Sequence, residues 1–109
     1  MTPADFKATR ESLHLSLDWL ASRWKVHRQS VQRWEKGDRT IPDAIAQDLQ
    51  ALEAQAHLII EEGIATADSD LFVPRTDAAW DTDGMPAAWH RMIAKQIAAS
   101  TGAKLHYLT

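Results

Sequence analysis

The sequence contains no cysteine, only four glycines and four prolines, and a single tyrosine among 109 residues. Without thiols there is no disulfide framework and no thiolate metal centre, which suits a reducing cytoplasm. Nowhere do some eighteen apolar residues run together, as a membrane-spanning helix requires. The opening MTPADFKATRE has neither a basic start nor an apolar run, so it does not read as a signal peptide. A phosphate-cradling glycine loop, internal repeats and low-complexity tracts are all missing. What remains is globular in balance, with 45% hydrophobic and 25% charged residues. The length suits one ordinary domain, or a small domain with an appendage.

Net charge is −3 but unevenly spread. Residues 1–40 carry eight Lys/Arg against five Asp/Glu, a net +3; residues 41–109 carry four against ten, a net −6. Two solvated surfaces can differ this much by chance. The sharper reading is a basic, phosphate-facing half joined to an acidic half that faces protein or water.

The most informative stretch is Ser16–Gly37, SLDWLASRWKVHRQSVQRWEKG. Leu17, Leu20 and Ala21 fall at helical spacing in a first short helix, and Val31 and Trp34 in a second. Ser16 is a good N-cap for the first. Val26 is placed to plug the angle between the two, His27 stands at the start of the second, and Gly37 suits a left-handed stop. The outer face of the second helix then carries Arg28, Gln29, Gln32 and Arg33, side chains suited to base edges in a DNA major groove. This pattern predicts a helix-turn-helix, and with it a DNA-binding regulator.

Around it, a helix is expected from Pro3 to about Leu13, capped by Thr2 and favoured by Asp5 in its first turn. Phe6, Arg10 and Leu13 share one of its faces, and Arg10 calls for a partner, Glu35. After Thr40–Asp43, a long helix is expected to run to Glu62 and close at Gly63. Its apolar seam is Ile45, Leu49, Leu52, Ala56 and Ile59. The far half, with Leu58, Ile59 and Ile60, needs burial either on the chain's own C-terminal region or on a second copy. The second copy is the preferred reading, with these three residues at the contact. Beyond a polar linker, LFVP (Leu71–Pro74) predicts a strand, RTDAAWDTDGMP a loop, Pro86–Ser100 a helix and KLHYL a last strand. Trp89, Met92, Ile93 and Ile97 line one face of that helix. The expected fold is mainly α: a helix-turn-helix bundle with its extended last helix (1–62), then a strand–helix–strand unit (63–109) for dimerisation or interaction.

Residues Phe6 to about Leu52 resemble the Cro/C1-type (Xre-like) helix-turn-helix family. The resemblance rests on the inward Arg10, the run LSLDWLASRWKV, the run SVQRWEKG and the downstream Pro42. Trp34-Glu35-Lys36-Gly37 matches the family's WE-x-G signature. The resemblance implies a partly buried Arg10–Glu35 ion pair and base-reading positions at Arg28, Gln29, Gln32 and Arg33, with Ser30 near the backbone. Arg23, Lys25, Lys36 and Arg39 join Ser30 as candidate phosphate contacts. Three departures stand out: Lys25 replaces the usual turn glycine, Leu17 replaces a polar residue at the start of the first helix, and His27 replaces a Ser/Thr cap. The C-terminal part looks more like short phage and plasmid autoregulators, including anti-CRISPR-associated repressors.

Other chemistries fit less well. His57 and Glu61 have metal-ligand spacing on a helix but no third ligand with a defined position, so no metal is expected. Asp81, Asp83 and Gly84 resemble part of a calcium loop whose closing Glu is replaced by His90. Of the five tryptophans, Trp34 and Trp89 are core candidates, while Trp19, Trp24 and Trp80 are surface or interface candidates. No arrangement favours an enzyme or a cofactor. The expectation is a cytoplasmic, homodimeric, sequence-specific DNA-binding regulator, more a repressor than an activator. The alternatives are an antitoxin that also grips a toxin through the acidic half, or a protein-binding adaptor.

Overall fold

Thr2 and Asp5 start the first helix by capping each other. The Thr2 hydroxyl accepts from the Asp5 N–H at 3.0 Å, and the Asp5 carboxylate accepts from the Thr2 N–H at 3.1 Å. Two of the helix's orphan donors are thereby satisfied. The computed structural model describes residues 1–79 and 83–108. Its helices are α1 (Pro3–Ser12), α2 (Leu17–Trp24), α3 (Arg28–Lys36), α4 (Asp43–Thr66) and α5 (Ala87–Thr101), with strands β1 (Asp70–Val73) and β2 (Lys104–Tyr107). The fold is mainly helical with one small sheet. Two compact units divide it, 1–54 and 55–109. The division falls inside α4, ahead of the 62/63 boundary expected from the sequence, because both stretches of this helix bury residues in local packing.

In the first unit, local chemistry sets the turns. α1 gives way to α2 through His14 in the left-handed region (φ 56°), and the Leu15 N–H reaches back to the Arg10 carbonyl at 3.2 Å. Ser16 caps α2 by accepting from the Trp19 N–H. Lys25 ends α2 with φ 56°, taking the left-handed conformation that the missing glycine would have eased. The Val26 N–H meets the Ala21 carbonyl at 3.0 Å, which tightens the corner between α2 and α3. His27 occupies the N-cap of α3 but its side chain makes no capping bond, and Gly37 closes α3 at φ 82°.

Phe6, Leu13, Leu15, Leu20, Ala21, Val31, Trp34, Leu49 and Leu52 form the core of this unit. Trp24, expected at the surface or an interface, is half-buried and packs one side of its ring on this core. Its ring lies 6.0 Å from Phe6 and 6.1 Å from Trp34, centroid to centroid, and Phe6 and Trp34 meet edge-on at 6.4 Å. Such tilted and edge-to-face contacts add stabilisation beyond area burial. The indole N–H that would oppose burial is taken by Asp48 at 2.7 Å.

In the second unit, β1 and β2 pair in parallel, with Leu71 opposite Leu105 and Val73 opposite Tyr107, and α5 makes the crossover between them. Trp89, Met92, Ile93, Ala94 and Ile97 of α5 are buried, as are Val73, Met85 and Ala56. Pro86 has no side-chain donor or acceptor for a cap, and the Asp77 carboxylate supplies one by accepting from the Ala87 N–H at 2.8 Å. Arg91 ties α5 to the end of β1 by donating to the carbonyls of Pro74 and Arg75. Within the expected loop, Asp77–Ala79 forms a turn of 3-10 helix. Trp80 and Asp81 lie outside the described residues.

Gly63 does not end α4, contrary to the sequence reading. The helix runs on to Thr66, 24 residues in all, or about 36 Å at 1.5 Å per residue. The glycine instead lets α5 approach: a Cβ there would lie 2.2 Å from Ile97 Cδ1. Among the described residues no helix is long and apolar enough to cross a membrane.

Candidate nucleic-acid interface

Helix α3 has two sharply different sides. At 100° per residue, Arg28, Gln32, Lys36, Gln29 and Arg33 fall in one arc of roughly 140°. Arg28, Gln29, Arg33 and Lys36 are exposed and Gln32 is half-buried. The opposite side holds Val31 at 0% and Trp34 at 6% exposure, with Ser30 half-buried beside them. Burying Val31 and Trp34 therefore fixes which way the five polar side chains face.

A partly buried ion pair holds α3 from behind. Arg10 Nε donates to Glu35 Oε1, and Arg10 Nη2 lies 3.4 Å from Oε2. The remaining Nη1 donates to the Leu15 carbonyl at 3.1 Å. Only 14% of the Arg10 side chain and 8% of the Glu35 side chain are exposed. One guanidinium thus joins α1, α3 and the corner leading into α2. The two parallel N–H···O contacts use the planar fork that distinguishes Arg from Lys.

The candidate phosphate contacts do not share one environment. Lys25, Lys36 and Arg39 are exposed. Arg23 is engaged instead: its Nε and Nη2 donate to Asp48 at 2.7 and 3.1 Å, and its guanidinium carbon sits 5.6 Å from the centre of the Trp19 ring. Asp48 accepts from both Arg23 and Trp24, and its carboxyl is held below the usual carboxylate range, first by the Arg23 hydrogen bond. The same bond raises the Arg23 guanidinium. Arg23 therefore links α2 to the start of α4. Arg28 has a lighter partner, with Nη1 at 3.3 and 3.2 Å from the two oxygens of Asp18, both side chains well exposed.

Asp18 and Asp48 are the side chains that sequence reasoning missed. Each meets its arginine across 10 or 25 residues of chain, a separation at which no helical or strand period brings them together. Asp18 gives only the weaker local signal of an acid in the first turn of a helix.

On the far half of α4, Leu58 is 59% exposed while Ile59 and Ile60 are half-buried. Three consecutive residues span about 200° of a helix, so they point in different directions. Phe72 (60%), Tyr107 (48%) and Leu108 (36%) are the exposed apolar side chains around the sheet. Among the described residues no three His, Asp or Glu side chains gather where they could hold a metal ion. His57 is exposed on α4, and His90 pairs with Asp83 at 3.2 Å. No protein-family model matches the chain, and no curated protein matches it.

Proposed function

We propose that this protein is a sequence-specific regulator of transcription that binds double-stranded DNA through α3, as a homodimer on an inverted repeat, and acts as a repressor. One observation carries the reading: the buried side of α3 is fixed by Val31, Trp34 and the Arg10–Glu35 pair, which leaves Arg28, Gln29, Gln32 and Arg33 together on the free arc. Arg and Gln are the side chains that pair bidentately with guanine and adenine in the major groove. Lys25, Lys36 and Arg39 would neutralise phosphate along the flanks, with Ser30 near the backbone. The likeness of SVQRWEKG to the Cro/C1-type family points the same way. Neither a cofactor nor a catalytic step belongs to this reading, and its natural setting is the cytoplasm.

The test is selection of bound duplexes from a random library, followed by titration of the selected and a scrambled duplex. A regulator of this kind enriches an inverted repeat with half-site centres about one helical turn apart, or a multiple of that. Recovery of unenriched sequences at every salt concentration would count against it.

A second reading keeps the DNA surface and makes the acidic half a grip for another protein, as in an antitoxin. It is favoured by the exposed Phe72 and Tyr107 of the second unit. Light scattering of the chain alone, and mixed with the product of any adjacent reading frame, separates the two. A homodimer that ignores the neighbour supports the repressor.

A further inference from the structure

We propose that Asp18 is a positioning residue for Arg28: it holds one edge of the guanidinium so that the other edge is presented to a guanine. The assignment rests on the DNA-binding reading above and names one of its specificity determinants.

The geometry of three arginines carries the argument. Arg10 and Arg23 each close the side-on fork, Nε with Nη2, onto a carboxylate. Arg28 differs. Asp18 takes only Nη1, with both oxygens within 3.3 Å of that single nitrogen. The Nε–Nη2 fork of Arg28 is left uncommitted among the described residues, and that fork spans two acceptors side by side, as O6 and N7 of guanine are. Asp18 therefore need not be displaced for Arg28 to read a base.

The location fits this role. Arg28 is the first residue of α3, where the helix dipole is positive and a cation is disfavoured. The first turn of α3 has no acidic residue and His27 supplies no side-chain cap, so the compensating anion comes from α2. The pair is exposed, 54% for Arg28 and 73% for Asp18. It is therefore worth at most about fivefold in an equilibrium constant. That is enough to bias the rotamer of a long side chain and too little to trap it. A carboxylate at this spot also repels phosphate, so an Arg28 held by Asp18 favours the groove over the backbone.

The experiment compares wild type, Asp18→Asn, Asp18→Ala, Arg28→Ala and the Asp18→Asn/Arg28→Ala double variant. Each is titrated against a duplex that the wild type selects from a random library, the same duplex with single-base changes, and a scrambled duplex. Asp18 is exposed, and circular dichroism verifies that each variant is folded. Asp18→Asn should lower the preference for guanine at the Arg28 position about three- to fivefold, with Asp18→Ala at least as severe. Scrambled-duplex affinity should rise, as the freed guanidinium reaches phosphate. In the Arg28→Ala background, Asp18→Asn should leave base preference unmoved. A wild type that discriminates, joined to Asp18 variants that keep its preference, overturns the assignment and leaves the DNA reading intact. An equal loss of preference with and without Arg28 also overturns it. A wild type that binds no duplex overturns both.

Discussion

Gly63 on α4 and Ile97 on α5 share a space that holds only one side chain. A Cβ on Gly63 would stand 2.2 Å from Ile97 Cδ1 and 2.9 Å from its Cγ1, and Ile97 is itself buried. The glycine sits where a helix would gain from almost any other residue, roughly 1 kcal/mol for alanine. Its presence in mid-helix is explained by the neighbour it admits.

Gly63→Ala should therefore destabilise the second unit despite the better helix former. Overpacking of this kind costs about 1–3 kcal/mol, which the propensity gain only partly offsets. Thermal melts of Gly63→Ala, Ile97→Ala and the double variant check it. The two changes should be non-additive, the double variant being more stable than the sum of the singles implies. A single Gly63→Ala that raises Tm would show that the Ile97 side chain yields to the added methyl at little cost.

The Arg10–Glu35 pair should be structural. Glu35→Ala strands the guanidinium of Arg10, whose side chain is only 14% exposed, and it removes the link between α1 and α3. Breaking such a partly buried pair from one side costs about 2–4 kcal/mol. Urea unfolding followed by tryptophan fluorescence reads it directly, because Trp24 and Trp34 pack against Phe6 in the same unit. A midpoint equal to wild type would mean the pair adds nothing.

Asp48 gives the first unit a sensitivity to acid. Its folded carboxyl lies below the ordinary value of 3.8, through the hydrogen bond from Arg23 first and that from Trp24 as well, with desolvation opposing them. A depressed folded pKa means the unfolded chain takes up the proton first as pH drops. The contribution of Asp48 is therefore complete above about pH 4 and is lost as pH falls through the folded value. Asp48→Asn should cost about 1 kcal/mol at neutral pH, the pair being partly screened by solvent. The gap between the two melting curves should narrow as pH falls below about 4, the range in which the unfolded chain takes up its proton first. A gap that stays constant over that range would assign the effect to packing alone.

What the sequence discloses here is mostly local. Thr2 with Asp5, Ser16 ahead of α2 and Gly37 behind α3 each act within a few residues, so their roles are legible from the chain. The period of Leu49, Leu52 and Ala56 announces α4 in the same way. Gly63 misleads for the converse reason: glycine commonly stops a helix, and only the distant Ile97 shows that here it permits a crossing. Trp24 looks like a surface residue until Asp48 is found to satisfy its N–H. On the α3 surface, the side chains follow from the burial of Val31 and Trp34, whereas the carboxylates that restrain Arg23 and Arg28 belong to other helices. The Arg23–Asp48 and Arg28–Asp18 contacts are products of the fold, and no spacing rule announces them.

The most direct test of the account is to titrate Arg28→Ala and Arg39→Ala against the selected and scrambled duplexes at several salt concentrations. Arg28 projects from the first turn of α3, and Arg39 lies beyond its end. Arg28→Ala should cost about 1–3 kcal/mol on the selected duplex, relax preference at one position per half-site, and barely change the scrambled one. Arg39→Ala should weaken both duplexes alike and flatten the slope of log K against log salt by about one unit. If Arg28→Ala lowers both affinities equally, the exposed arc of α3 does not read bases, and the proposed function is contradicted.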